Sequence, residues 1–236
     1  VLLHYLVKSM MAKKQKGIYE MIAKTYHGLE DVLAKELLQL GAQNIKTLRR
    51  AVKFKGDLGF MYKANLSLRT AVRIIKPIKN FKVRNEDQLY RELRNIDWEQ
   101  YMTIDDKFAV DSFVNSPHFN HSLYVALKTK DAIVDQFKKA TGKRPNVDRE
   151  NPDQRFLVRV TQDNVHLLWN TSGDPLYKRG YRSITGVAPL NEVLAAGILT
   201  FSDWDIQTPL IDPMCGSGTF LCEALIQAKQ IAPGLM

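Results

Sequence analysis

Cysteine is almost missing from these 236 residues: Cys215 and Cys222 are the only two, and no histidine stands at a metal-ligand spacing from either. That rules against a disulfide framework, gives no zinc signature, and fits a reducing, cytoplasmic setting. No metal is expected. A long apolar run is missing as well. The N-terminal stretch Val1 to Val7 is broken by His4 and Tyr5, far short of the ~20 residues that a membrane-spanning helix needs. No basic segment precedes that stretch and no small-residue cleavage site follows it, so neither a secretory signal nor a membrane partner is expected. Residues 1–16 read as a tail or upstream extension ahead of an initiator at Met10 or Met11, with Lys13, Lys14 and Lys16 in solvent. Internal repeats and low-complexity stretches are also lacking.

Acidic residues are scarce in one part of the chain only. Residues 183–236 hold one basic residue, Lys229, against five acids, a net of −4, which leaves 33 Lys and Arg against 20 Asp and Glu in residues 1–182, a net of +13. A basic surface of that size commonly meets a polyanion, nucleic acid first among them. With 45% hydrophobic residues, the chain has enough apolar material for a sizeable core.

The hydrophobic pattern divides the chain. A strand over 18–23 precedes a helix in which Leu29, Val32, Leu33, Leu37 and Leu40 recur at helical spacing until Gly41. Short strands at 44–48 and 52–55, joined by Arg49-Arg50-Ala51, precede a helix over 58–68 and a strand over 72–78. Strand, helix, strand, strand, helix, strand is the order of a ferredoxin-like unit, assigned to residues 17–83. An α/β module over 84–170 follows, with helices at 86–95 and 121–140 and strands at 108–114, 156–160 and 165–169, the last two joined by Gln162-Asp163-Asn164. Residues 171–186 form a crossing segment that contains Leu-Tyr-Lys-Arg-Gly-Tyr-Arg at 176–182. A third domain begins at 187, with a helix from Pro189 to Leu199 carrying Leu190, Val193, Leu194 and Ile198 on one face.

The chemistry concentrates in Thr-Pro-Leu-Ile-Asp-Pro-Met-Cys-Gly-Ser-Gly-Thr-Phe at 208–220. Leu210 and Ile211 read as a short buried strand, Gly216 and Gly218 as a tight loop, and Thr219 as the start of a helix whose core face is Phe220, Leu221, Ala224, Leu225 and Ala228. Strand, glycine loop and helix start form a nucleotide-type crevice. Glycines admit a ligand close to the backbone, helix-start amides favour a carboxylate, and Asp212 offsets a positive charge. A ligand with both an ammonium and a carboxylate on a nucleoside, such as S-adenosylmethionine, suits that arrangement. Other glycine loops fit less well. A P-loop requires Lys after its last glycine, where Thr219 stands. The third glycine of a dinucleotide fingerprint is replaced by Leu221, which weakens that reading without abolishing it. Cys215 reads as a small loop residue rather than a nucleophile, Ser217 lacks the flanks of a hydrolase elbow, and His118 with His121 reads as a surface turn rather than a metal pair.

Asp-Pro-Met-Cys-Gly-Ser-Gly-Thr resembles the first motif of the amino-group-methylating class of Rossmann-like methyltransferases. Lys178-Arg179-Gly180-Tyr181-Arg182, together with Ala-Pro-Leu-Asn-Glu at 188–192, resembles the lead into that domain in bacterial 23S ribosomal RNA guanine-N2 methyltransferases. The resemblance, over residues 18–236, implies a THUMP RNA-binding module at 84–170 and the beginning of the methyltransferase domain at 187–236. It implies that Asp212, Pro213, Cys215, Gly216, Ser217, Gly218 and Thr219 line an S-adenosylmethionine pocket that Pro189, Leu190 and Asn191 close from the other side. It implies methyl transfer to the exocyclic 2-amino group of a guanine, with 23S ribosomal RNA as partner. For RNA contact the candidates are Lys143, Arg144 and Arg149 after the long helix, and Lys178, Arg179, Tyr181 and Arg182 in the crossing. The Asn-or-Asp-Pro-Pro-aromatic motif of the class has no match here, and only 17 residues follow Thr219. No catalytic residue is therefore named, and these residues alone are expected neither to methylate nor to hold the cofactor well. Adenine methylation in DNA and a non-catalytic RNA-binding module are the competing readings.

Overall fold

The computed structural model describes residues 17–182 and 189–236. The tail assigned to 1–16 and residues 183–188 of the crossing and of the third domain's start lie outside the described residues. The described residues divide into two compact units: residues 18–75 with 174–236, and residues 76–173.

In the first unit, β1 (Tyr19–Lys24), α1 (Glu30–Leu40), β2 (Gln43–Leu48), β3 (Ala51–Gly56), α2 (Leu58–Ser67) and the start of β4 (Arg73–Lys82) follow the expected order. The strands lie antiparallel in the spatial order β2-β3-β1-β4. Alternation decides the two faces: Met21, Ala23, Val52, Phe54 and Ile74 are fully buried with Leu33, Leu37, Met61 and Ala64 of the helices. The Asp57 side chain caps α2 by accepting from the Phe60 amide at 2.7 Å.

The same unit holds α5 (Glu192–Phe201) and α6 (Thr219–Ala228). α5 starts at Asn191, whose Oδ1 accepts from the Val193 amide at 3.0 Å, so Pro189 stands ahead of the helix rather than opening it. α5 approaches the end of the α1 entry turn so closely that a Cβ on Gly197 would lie 2.5 Å from the Leu29 side chain. Two expectations change here. Residues 210–211 pair with no strand among the described residues, and Ile211 is 84% exposed. An isolated two-residue strand has no ladder to satisfy its amides and carbonyls. On α6, Leu221 and Leu225 are exposed while Thr219, Glu223, Ala224 and Ile226 are buried. The helix turns a polar stripe inward, for a reason given below.

In the second unit, the end of β4 is followed by α3 (Glu86–Arg94), β5 (Phe108–Asn115), α4 (Ser122–Thr141), β6 (Gln154–Thr161) and β7 (Asn164–Asn170). The spatial order is β4-β7-β6-β5, with β5 and β6 parallel and β6 and β7 antiparallel. β4 runs four residues past its expected end. His166 meets Asn80 at 2.9 Å and the Val83 amide donates to Asp163 O at 2.9 Å, which extends the pairing beyond Pro77. α3 and α4 cover the face formed by Phe156, Val158, Val160, Val165 and Leu167.

Candidate cofactor loop and the arginines behind it

The glycine loop is a series of tight turns. Asp212 Oδ1 accepts from the Met214 amide at 3.1 Å, and the Gly218 amide donates to Cys215 O at 2.7 Å. Gly218 is the N-cap of α6 at φ 73°, a left-handed conformation in which a side chain is strained. No side chain caps α6, so its first amides are left for a ligand or water. A Cβ built on Gly216 or Gly218 would meet no atom within 4 Å. The space in front of the helix start is thus open. Pro213, Cys215, Gly216 and Ser217 are exposed and Asp212 is half-buried. This uncapped amide cradle beside a carboxylate fits the two charged ends of S-adenosylmethionine.

Arg182 joins the loop to the other expected wall of the pocket. Its Nη2 donates to Thr219 Oγ1 at 2.8 Å and to the carbonyl of Leu190, while its Nε pairs with Glu192 Oε1 at 3.1 Å. The start of α6 and the start of α5 are therefore held by one guanidinium, which places Pro189, Leu190 and Asn191 beside the glycine loop. A hollow of about 390 Å³ lies next to this point, lined by Tyr177, Arg179, Arg182, Pro189 and Asn191 among others.

Arg179 acts one turn further along α6. Its side chain is 1% exposed and pairs at 2.8 Å with Glu223, whose side chain is 0% exposed. Glu223 also accepts from the Tyr181 hydroxyl at 2.9 Å, and Arg179 donates to Arg69 O at 2.6 Å. Arg69 in turn donates to Ile231 O at 2.9 Å, and Glu36 receives the amides of Arg69 and Thr70 at 3.2 and 3.0 Å. Burial pushes the Glu223 carboxyl upward, with Arg179 and Tyr181 opposing that shift. Burial raises the Tyr181 hydroxyl too and lowers the Arg69 guanidinium. Glu223 and Thr219, four residues apart on α6, are the reason that this helix buries a polar stripe.

The RNA candidates separate accordingly. Lys143, Arg144 and Arg149 are exposed on the loop after α4, held against β6 where Arg155 Nη2 donates to Arg149 O at 2.9 Å. Lys178 is exposed beside Asp174. Arg179 is buried in its pair with Glu223, where its guanidinium cannot reach a phosphate, while the half-buried Tyr181 and Arg182 are bonded to Glu223 and to Thr219, Leu190 and Glu192. Their sequence signature, cations interleaved with tyrosines, is the same for an RNA surface and for an internal network. Their partners Arg69 and Glu223 carried no signal, and nothing in the Ala-Pro-Leu-Asn-Glu segment ties Glu192 to Arg182, because long-range pairing leaves no trace in a single sequence. Among the described residues, no group of three or more His, Cys, Asp or Glu could hold a metal, and no helix is long and apolar enough to cross a membrane.

Comparison with known proteins gives three consecutive matches: the RlmL ferredoxin-like domain over residues 20–75, the THUMP domain over 83–169, and the RMKL-like methyltransferase domain over 179–236. The chain is 43% identical over 216 residues to a ribosomal RNA large subunit methyltransferase K/L of Photobacterium profundum, covering 92% of this chain and 30% of that protein. It is similar in structure to a predicted N6-adenine-specific DNA methylase from Listeria monocytogenes str. 4b F2365, with a TM-score of 0.80, 31% identity, and 97% of this chain against 59% of that one. A methyltransferase candidate crystallised with SAH gives a TM-score of 0.81 at 31% identity, with 93% of this chain against 58% of the other. The chain thus spans about a third of the K/L relative and under three fifths of these solved structures. The chain thus carries, in this order, matches to an RlmL ferredoxin-like domain, a THUMP domain and an RMKL-like methyltransferase domain.

Proposed function

We propose that the protein to which these residues belong methylates the exocyclic 2-amino group of a guanine in RNA, with 23S ribosomal RNA as substrate and S-adenosylmethionine as donor, in the cytoplasm. The observation that carries this reading is the open, uncapped glycine loop at the start of α6, anchored by Arg182. The relative named for large-subunit ribosomal RNA supports the substrate. Bound there, the cofactor supplies an electrophilic sulfonium methyl group. The part of this chain is to hold the donor: amides of the α6 start for its carboxylate, Asp212 for its ammonium, and Arg182 to keep Thr219 and the 189–191 segment at fixed separation. Lys143, Arg144, Arg149 and Lys178 stand as exposed cations for RNA phosphates.

The test is methyl transfer by the full-length protein from labelled S-adenosylmethionine to ribosomal RNA and, separately, to DNA, followed by nucleoside analysis. N2-methylguanosine is the expected product. N6-methyladenine in DNA would instead favour the activity named for the Listeria neighbour. Transfer to neither would favour the binding-module reading. In the same protein, Gly218→Val is expected to weaken S-adenosylhomocysteine binding at least ~100-fold by calorimetry, because a side chain at φ 73° is strained and fills the open space before the helix. Arg182→Met is expected to weaken it about tenfold by freeing Thr219.

A further inference from the structure

The positive charge of the folded units is not where the THUMP assignment leads one to look. Residues 76–173 carry 16 Lys and Arg against 14 Asp and Glu, a net of +2, whereas residues 18–75 carry ten against five, a net of +5. The strand register shows where much of the second excess sits. Met21, Ala23, Val52, Phe54 and Ile74 point to the helices, so Glu20, Lys24, Lys53, Lys55, Lys46 and Arg73 share the opposite face. Within that face Lys46 stands directly across from Lys53, and Lys24 directly across from Arg73. Like charges directly opposite one another destabilise a sheet. Five cations face one acid, and that acid, Glu20, is taken by Lys53 at 2.6 Å. Lys46, Lys55 and Arg73 make no ion pair among the described residues.

We propose that this face of the ferredoxin-like sheet is a docking surface for the RNA phosphate backbone. The proposal rests on RNA being the substrate, and it assigns the phosphate grip to lysines of β2 and β3 and to Arg73 rather than to the THUMP module alone. Charge complementarity selects the occupant: Lys46, Lys55 and Arg73 leave this face with cations that no acid among the described residues pairs, and a polyanion supplies the counter-charge and releases its counterions on binding. The face offers no aromatic ring to stack a base, so it positions RNA without reading sequence. The repulsion retained in the free protein is the cost that such a surface carries.

The experiment measures binding of the 236-residue chain to a fluorescent ribosomal RNA hairpin across salt concentrations, for three proteins: the parent, Lys46→Gln/Lys55→Gln/Arg73→Gln, and Lys143→Ala/Arg144→Ala/Arg149→Ala. The sheet-face variant is expected to bind about tenfold or more weakly at low salt, with a slope of log K against log salt shallower by about 2–3. Its melting temperature should stay level or rise, since repulsion is removed. A parental slope and affinity in that variant overturn the proposal and leave RNA recognition to the other cations. Absence of RNA binding by the parent overturns the RNA reading itself. Face-dependent binding to anionic phosphatidylserine vesicles, with RNA binding unaffected by the variant, would overturn RNA as the occupant.

Discussion

Arg179→Met is expected to destabilise the unit formed by residues 18–75 and 174–236 by about 3–5 kcal/mol, the usual consequence of leaving one member of a buried ion pair behind. Both side chains lie out of water, and Glu223 in the variant keeps the Tyr181 hydroxyl and the weaker field of Arg69. The loss is not the intrinsic worth of the pair. Arg179→Met with Glu223→Met and Tyr181→Phe removes the charges and the orphaned hydroxyl together, and it should recover most of the stability, as apolar replacements of buried ion pairs commonly do. Urea unfolding of the single and the triple variant makes the comparison. A pH series adds a second reading. Burial already raises the Glu223 carboxyl in the parent, and removing Arg179 raises it further. A carboxyl whose folded pKa lies above its unfolded one takes up its proton first in the folded state, so stability increases as pH falls through the folded value. The deficit of Arg179→Met should therefore shrink over the range in which pH falls through the folded pKa of Glu223. A deficit constant over that range, or a triple variant as weak as the single one, would mean that Arg179 acts by packing alone.

The role of Arg179 also marks the limit of what the sequence discloses. Period-two alternation at Met21 to Ala23 and Val52 to Phe54, and the leucines of α1, made the ferredoxin-like order legible because each pattern is local and is set by one buried face. The THUMP strands were legible for the same reason, and the Gln162 turn sits where its polar residues placed it, at φ 56°. α6 was misread because its apolar residues were given to the core by their type. In the folded unit, Leu225 is 58% exposed while Glu223 is 1% exposed, since the partner of Glu223 lies 44 residues away in the crossing segment. No spacing rule links Arg179 to Glu223, or Arg182 to Thr219. The glycine loop was legible in the opposite way: its backbone demands φ above zero at Gly216 and Gly218, and residue type reports that demand directly. The sheet face of lysines is invisible in the total of +13, because the register of β1 to β4 is needed to see which cations stand together.

Trp98→Ala is expected to cost the THUMP unit about 3–5 kcal/mol, the range for removing a large aromatic from a packed core. Trp98 is fully buried on a short 3-10 turn, Trp98–Gln100, that no pattern in the sequence announced. Its ring meets Phe156 edge to face at 5.1 Å between centroids, and its Nε1 donates at 3.0 Å to Leu93 O, a carbonyl at the end of α3. The turn is fastened from the other side by Gln136 of α4, which accepts from the Trp98 amide at 3.1 Å and donates to Ile96 O at 2.7 Å. Truncation therefore leaves a cavity beside Phe156 and Tyr101 and frees the Leu93 carbonyl at once. Trp98→Phe keeps an aromatic edge for Phe156 but loses the hydrogen bond, and it should cost about 1–2 kcal/mol. Gln136→Leu loosens the turn without opening a cavity, and it should fall in the same smaller range. Hydrogen exchange locates the damage: amides of α3, α4 and β6 should lose protection in Trp98→Ala. Uniform loss of protection across both units would show instead that their stabilities are one quantity.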